Sequence, residues 1–147
     1  MKRIRLIRGV RGAFLFLSMH DQLALVFVYG TLRRGGSNHF RMEETEFVSE
    51  GTVSGRLYAI DWYPGLILDP AGDPIIGEVY AVGTARLKAL DEFEGVSASE
   101  FQNSEYRRVK TVFLPKEGDP FEAWVWEWLG AVSEATRIPH GDWLRNS

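Results

Sequence analysis

The chain has 147 residues, with 17 Lys and Arg against 20 Asp and Glu, a formal charge of −3. Its length suits one domain, and 45% hydrophobic with 25% charged residues excludes general disorder. There is no cysteine, which excludes disulfide scaffolds, zinc–thiolate sites, iron–sulfur clusters and thiol nucleophiles and fits a reducing, cytoplasmic setting.

The charge is unevenly placed. Lys2, Arg3, Arg5, Arg8 and Arg11 precede the first acid, Asp21, and the rest carries 12 positive against 20 negative charges, a balance of −8. A body that acidic is a poor binder of phosphate backbones, so no nucleic-acid partner is expected. The apolar run Ala13–Leu17 is shorter than the ~20 residues of a membrane span and the roughly 7–15 of a secretory signal, so no membrane partner is expected. Residues 1–22 read as a basic, flexible N-terminal extension, with a working start near Met19 as one version. An extra β-segment or a docked basic arm is the alternative. Residues 23–147 read as a single domain.

Leu23–Tyr29 is a continuous apolar run rich in β-formers and predicts a strand buried on both faces. The loop TLRRGGSN follows, and Ser37 or Asn38 can cap a short helical turn over residues 39–44. Phe47–Ile60 alternates, with glycines at 51 and 55, and predicts two short strands or one bent strand. Leu66–Leu68 and Ile75–Val82 are strands separated by the turn Asp69–Pro74. Thr84 is expected to cap the one firm helix, TARLKALDEFEG, with Gly95 just past its end. Ser97–Ser104 is loop-like, Tyr106–Leu114 and Phe121–Leu129 are strands, and the tail is irregular. About six strands with one firm and one short helix make an α+β chain, and the short turns favour a small, compact mixed barrel.

No metal is expected. His20, His39 and His140 have no ligand-like spacing to a second His or a carboxylate. No cofactor is expected either, because GTLRRGG lacks the lysine and glycine spacing of nucleotide-binding loops.

The helix carries the most informative residue. On a wheel of about 100° per residue, Leu90, Phe93 and Glu94 fall about 300°, 240° and 340° from Leu87. Glu94 therefore sits inside the apolar stripe, while Lys88 and Glu92 face outward and Asp91 lies at the stripe's edge. Burial and the helix C-terminus both push a carboxylate's pKa upward, toward general acid–base work. The alternatives are that Glu94 swings out to solvent or pairs with Arg107 or Arg108.

Gly30 lets a ligand approach the backbone after the first strand, and successive N–H groups in such a turn can bind a carboxylate or oxyanion. An ordinary strand-ending turn is the alternative, and Arg33 and Arg34 are expected to be solvated. Tyr106 and Arg108 share a strand face, which puts Arg108 near whatever Tyr106 lines, with a cross-strand salt bridge as the alternative. Trp124, Trp126 and Trp128 read as a packed core face, and Trp143 as a plug at one barrel end. His39 and His140 read as structural or exposed.

VYGTLRRGGSNH resembles the Y-G-[ST]-L-x-x-G signature of the γ-glutamylcyclotransferase-like superfamily, in its AIG2-like branch. LDEFEGV resembles its L-D-x-x-E-G segment, Tyr106-Arg107-Arg108 its Y-x-R strand start, Trp62–Gly65 its Y-P turn and Gly141-Asp142-Trp143 its G-D-W ending. The matches run in order from residue 25 to 143. The resemblance implies a compact β-barrel with flanking helices and an enzyme that turns a γ-glutamyl amine or amide into 5-oxoproline and a free amine, without cofactor. It also implies Glu94 as the catalytic acid/base, with Tyr29, Gly30, Thr31, Leu32, Tyr63 and Tyr106 on the side of a small γ-glutamyl substrate. Arg108 joins them on the strand-face argument above. Because the superfamily includes members without established activity, a non-catalytic metabolite-binding or regulatory domain is the second expectation.

Overall fold

The computed structural model describes residues 3–5, 15–17, 22–96 and 105–145. Strands β1 (Arg3–Arg5) and β2 (Leu15–Leu17) pair antiparallel with each other as a separate ribbon. The remaining expectations for residues 1–21, and the loop 97–104, lie outside the described residues.

Six further strands follow: β3 (Ala24–Val28), β4 (Glu46–Ala59), β5 (Pro64–Leu68), β6 (Asp73–Val82), β7 (Tyr106–Pro115) and β8 (Phe121–Trp128). They are ordered β5-β4-β6-β3-β8-β7, and β7 returns to β4 at Gly51–Pro115 and Thr52–Leu114. Five strands therefore close into a barrel, with β5 outside on β4. Only β3 and β8 run parallel, so the barrel is mixed. The expected α+β mixed barrel is the observed fold.

Strand alternation divides the core into two layers. Phe27, Val53, Ile75, Val79, Phe113 and Val125 are fully buried inside the barrel. Val26, Val28, Tyr80, Val82 and Trp126 point outward and are covered by α1 (Thr84–Phe93) and the 3₁₀ turn His39–Met42. This is why β3 reads as an unbroken apolar run. Leu90, 1% exposed, is the helix's buried anchor. Burying one such side chain contributes about 1.5–3 kcal/mol.

Residues 46–59 form one strand rather than two, with a bulge between Phe47 and Ser49. Gly51 does not break it; a Cβ there would lie 2.5 Å from the Phe113 ring, so the glycine makes room for that ring. Trp143 packs against the barrel interior, as expected for an end plug. Two caps differ from expectation. Gly83, in extended conformation, is the N-cap of α1 and Thr84 is its first residue. Asn38 precedes the short turn, but its side chain serves Thr31 and Arg41 instead of capping it.

Candidate active site

A cavity of about 140 Å³ opens where the chain leaves β3. Its walls are the loop 29–32, the turn Trp62–Pro64, Phe93 and Glu94 at the end of α1, Glu105 and Tyr106 at the start of β7, and Trp126 of β8. Among the described residues no Lys, Arg or His lines it.

Glu94 reaches this cavity because the helix ends under control. Gly95 adopts φ +72°, its N–H donates to the Glu92 carbonyl at 3.2 Å, and the Val96 N–H donates to the Asp91 carbonyl at 2.9 Å. This Schellman closure needs a left-handed residue, which glycine supplies without strain. It fixes Glu94 as the helix's last cap, facing the barrel. Among the described residues, no donor or cation pairs with its carboxylate. Burial first, then the Glu105 and Asp91 carboxylates, raise its pKa from 4.5 to about 8.

Both arginines that could have neutralised it are held elsewhere. Arg107 pairs across the ladder with Glu127 at 2.7 Å. Arg108 pairs with Asp91 at 2.9 Å and lies 4.4 Å over the Trp124 ring. Arg108 shares a face with Tyr106, yet it does not line the cavity. The expected cross-strand salt bridge is not the one it makes: its partner, Asp91, lies on α1, which packs against that side of the sheet. Asp91 also accepts from the Trp126 indole at 2.9 Å.

The loop after β3 is one-sided in its hydrogen bonding. The carbonyls of Gly30, Thr31, Leu32 and Arg33 are taken by the Arg33 N–H, the Asn38 N–H, His39 Nδ1 and the Gly36 N–H. The N–H groups of Gly30, Thr31 and Leu32 meet no acceptor among the described residues, although Gly30, Thr31 and Leu32 are all buried. Buried backbone donors are rarely left without a partner. Three in succession beside a cavity make a nest suited to an anion.

The tyrosines shape the walls. Tyr29 donates to the Trp126 carbonyl at 2.6 Å and accepts from the Leu66 N–H at 3.3 Å. Tyr106 donates to the Pro64 carbonyl at 2.7 Å. Both hydroxyls therefore fasten β5 to the barrel, and burial pushes the pKa of both upward. Tyr63 stands at the rim, edge-on to Trp62 with ring centroids 4.9 Å apart.

Sequence reasoning thus brought Glu94, Tyr29, Gly30, Thr31, Leu32, Tyr63 and Tyr106 to one cavity. It missed Glu105, whose only signal is its place just before a strand that starts beside the helix C-terminus. It also missed Arg33, expected in solvent but 9% exposed and paired with Glu78 and Asp142.

The family model described as gamma-glutamyl cyclotransferase, AIG2-like, matches residues 26–145. The gamma-glutamylaminecyclotransferase of Bos taurus is 31% identical over 133 residues, covering 82% of this chain and 75% of that protein. That of Homo sapiens is 37% identical over 87 residues, 52% of this chain and 56% of that protein. The chain matches its Arabidopsis thaliana relative over 46% of that protein's length. A crystal structure of an AIG2-like protein from Mus musculus superposes with a TM-score of 0.69 at 26% identity, over 83% of this chain and 88% of that one. No helix among the described residues is long and apolar enough to cross a membrane. The chain belongs to the gamma-glutamyl cyclotransferase family, in its AIG2-like branch.

Proposed function

We propose that the chain cyclises a γ-glutamyl amine or amide to 5-oxoproline and releases the free amine, with Glu94 as general acid and base. The observation that carries this reading is a carboxylate with no cation or donor partner among the described residues, in a cavity lined by Gly30, Thr31 and Leu32, whose N–H groups meet no acceptor among those residues.

The two features match the two charges of a glutamyl group. The N–H groups of Gly30, Thr31 and Leu32 suit its α-carboxylate, since no cationic side chain lines the cavity among the described residues. Glu94, with Glu105 beside it, suits its α-ammonium. The ammonium must lose a proton before its nitrogen can attack the γ-carbonyl carbon. A carboxylate with a pKa of about 8 is matched to that transfer near neutral pH. The new C–N bond closes a five-membered ring, and the γ-carbonyl oxygen takes up negative charge. As the carbonyl re-forms and the C–N bond to the leaving amine breaks, Glu94 returns the first proton to that nitrogen, and the second proton of the ring nitrogen passes to the departing amine, which leaves as its ammonium. Ring closure is intramolecular, so holding the folded conformer supplies much of the rate. Every step uses side chains and backbone of this chain.

The test is a panel of γ-glutamyl amines and dipeptides assayed for 5-oxoproline with the wild type and Glu94→Gln. The expected result is product from one or more substrates with the wild type and at least a hundred-fold less with the variant. A folded wild type that returns every substrate unchanged by mass spectrometry overturns the reading, as does a fully active Glu94→Gln.

A further inference from the structure

Arg33 directly follows Gly30–Leu32, whose N–H groups meet no acceptor among the described residues, and its guanidinium is buried. Nε donates to Glu78 Oε2 at 3.0 Å and Nη1 donates to Asp142 Oδ1 at 2.7 Å. The two carboxylates are themselves anchored. Glu78 Oε1 accepts from the Arg34 N–H and from the Tyr80 hydroxyl, each at 2.9 Å. Asp142 Oδ1 also accepts from the Leu144 N–H at 3.1 Å, and the preceding Gly141 carbonyl accepts from the Ile76 N–H at 2.8 Å. One guanidinium thus joins the loop, strand β6 and the C-terminal segment.

Removing two carboxylates and a guanidinium from water is costly, and a fork of fixed geometry is what makes such a cluster hold a single arrangement. The loop's own carbonyl bonds set its shape. Two charged bonds at Arg33 set where that shape sits against the barrel.

We propose that Arg33, clamped between Glu78 and Asp142, is the positioning residue that aims the N–H groups of Gly30, Thr31 and Leu32 at a ligand carboxylate. The inference rests on the reading of that loop given above. Arg33 itself lines no part of the cavity, so its effect passes through the backbone. Lysine keeps the charge but cannot bond two carboxylates through a rigid fork, so Arg33→Lys loosens the loop while leaving it cationic.

The experiment measures binding in the Glu94→Gln background, where no turnover interferes. The probes are γ-glutamyl ethylamide and the same compound with its α-carboxylate converted to a carboxamide, titrated by NMR. The expected result is at least ten-fold preference for the carboxylate ligand, falling to less than three-fold when Arg33→Lys is added, through loss on the carboxylate ligand alone. Asp142→Asn should reduce the preference less. Val53→Ala, which opens space in the barrel core away from the loop, should lower the melting temperature and leave the preference intact. An unchanged preference in Arg33→Lys overturns the proposal, and so does the absence of a preference before it is introduced. The proposed reaction fails separately, when the wild type releases no 5-oxoproline from any γ-glutamyl compound.

Discussion

Asp91 holds Arg108 at 2.9 Å, one helical turn before Glu94. The pairing occupies the Arg108 guanidinium, and the charges acting on Glu94 among the described residues are the carboxylates of Glu105 and Asp91. Asp91→Asn should reverse this. It removes one of the charges that raise Glu94's pKa and frees Arg108, while the Asn Oδ1 can still accept from the Trp126 indole. The acidic limb of kcat/KM, expected near pH 8 from Glu94, should move to lower pH by about one unit. A pH–rate profile of the two proteins checks it. A limb that stays near 8 would mean that burial and Glu105 set the pKa without Asp91.

Glu94 should also leave a mark on stability. Its folded-state pKa of about 8 lies above its ordinary 4.5, so between those values the folded state retains a proton that the unfolded chain releases. The stability linked to this group is fully present below about pH 4.5 and is lost as the pH rises through 8. Glu94→Gln keeps the shape without the charge. Its melting temperature should exceed that of the wild type at pH 9, and the difference should close toward pH 5. An offset that is the same at both pH values would show that the carboxylate is not buried as an isolated charge.

Much of this was legible in the sequence where the cause is local. The run Leu23–Tyr29 announces a strand with two buried faces, and the spacing from Leu87 to Glu94 turns an acid toward the core. Gly95 marks the helix end because the Schellman closure needs a residue at positive φ. What was hidden depends on distant partners. Arg33 looks solvated beside two glycines, because Glu78 and Asp142 lie 45 and 109 residues away. The destination of Arg108 depends on how β7 and α1 dock. That the N–H groups of Gly30–Leu32 meet no acceptor among the described residues depends on the distant donors Asn38 and His39, which take the loop's carbonyls.

The two wall tyrosines should differ in their cost of truncation. Tyr29→Phe leaves both the Trp126 carbonyl and the Leu66 N–H without their partner in a buried setting. Tyr106→Phe leaves only the Pro64 carbonyl. Unsatisfied buried groups cost about 1–3 kcal/mol each, so Tyr29→Phe should destabilise by about 2–3 kcal/mol and Tyr106→Phe by about 1 kcal/mol. Urea unfolding of the three proteins measures both. Equal losses would count against the second bond to Leu66, the longer of the two at Tyr29.

Gly30 is where the cavity tolerates the least. A Cβ there would stand 2.7 and 2.8 Å from Pro64 Cγ and Cδ, closer than carbon atoms pack. Pro64 cannot retreat cheaply, because its carbonyl is bonded to Tyr106 and it pairs with Ala59 at the end of β4. Relief must come from the loop, whose N–H groups would swing out of line with the cavity. Gly30→Ala should therefore remain folded, lose about 1–3 kcal/mol of stability to overpacking, and lose at least ten-fold in kcat/KM. Gly83→Ala is the matching control, since a Cβ at Gly83 meets nothing within 4 Å. Thermal melts and steady-state kinetics on the pair separate the steric effect from the general cost of changing a glycine. An active Gly30→Ala would show that the loop and Pro64 do not need to meet for the chemistry to proceed.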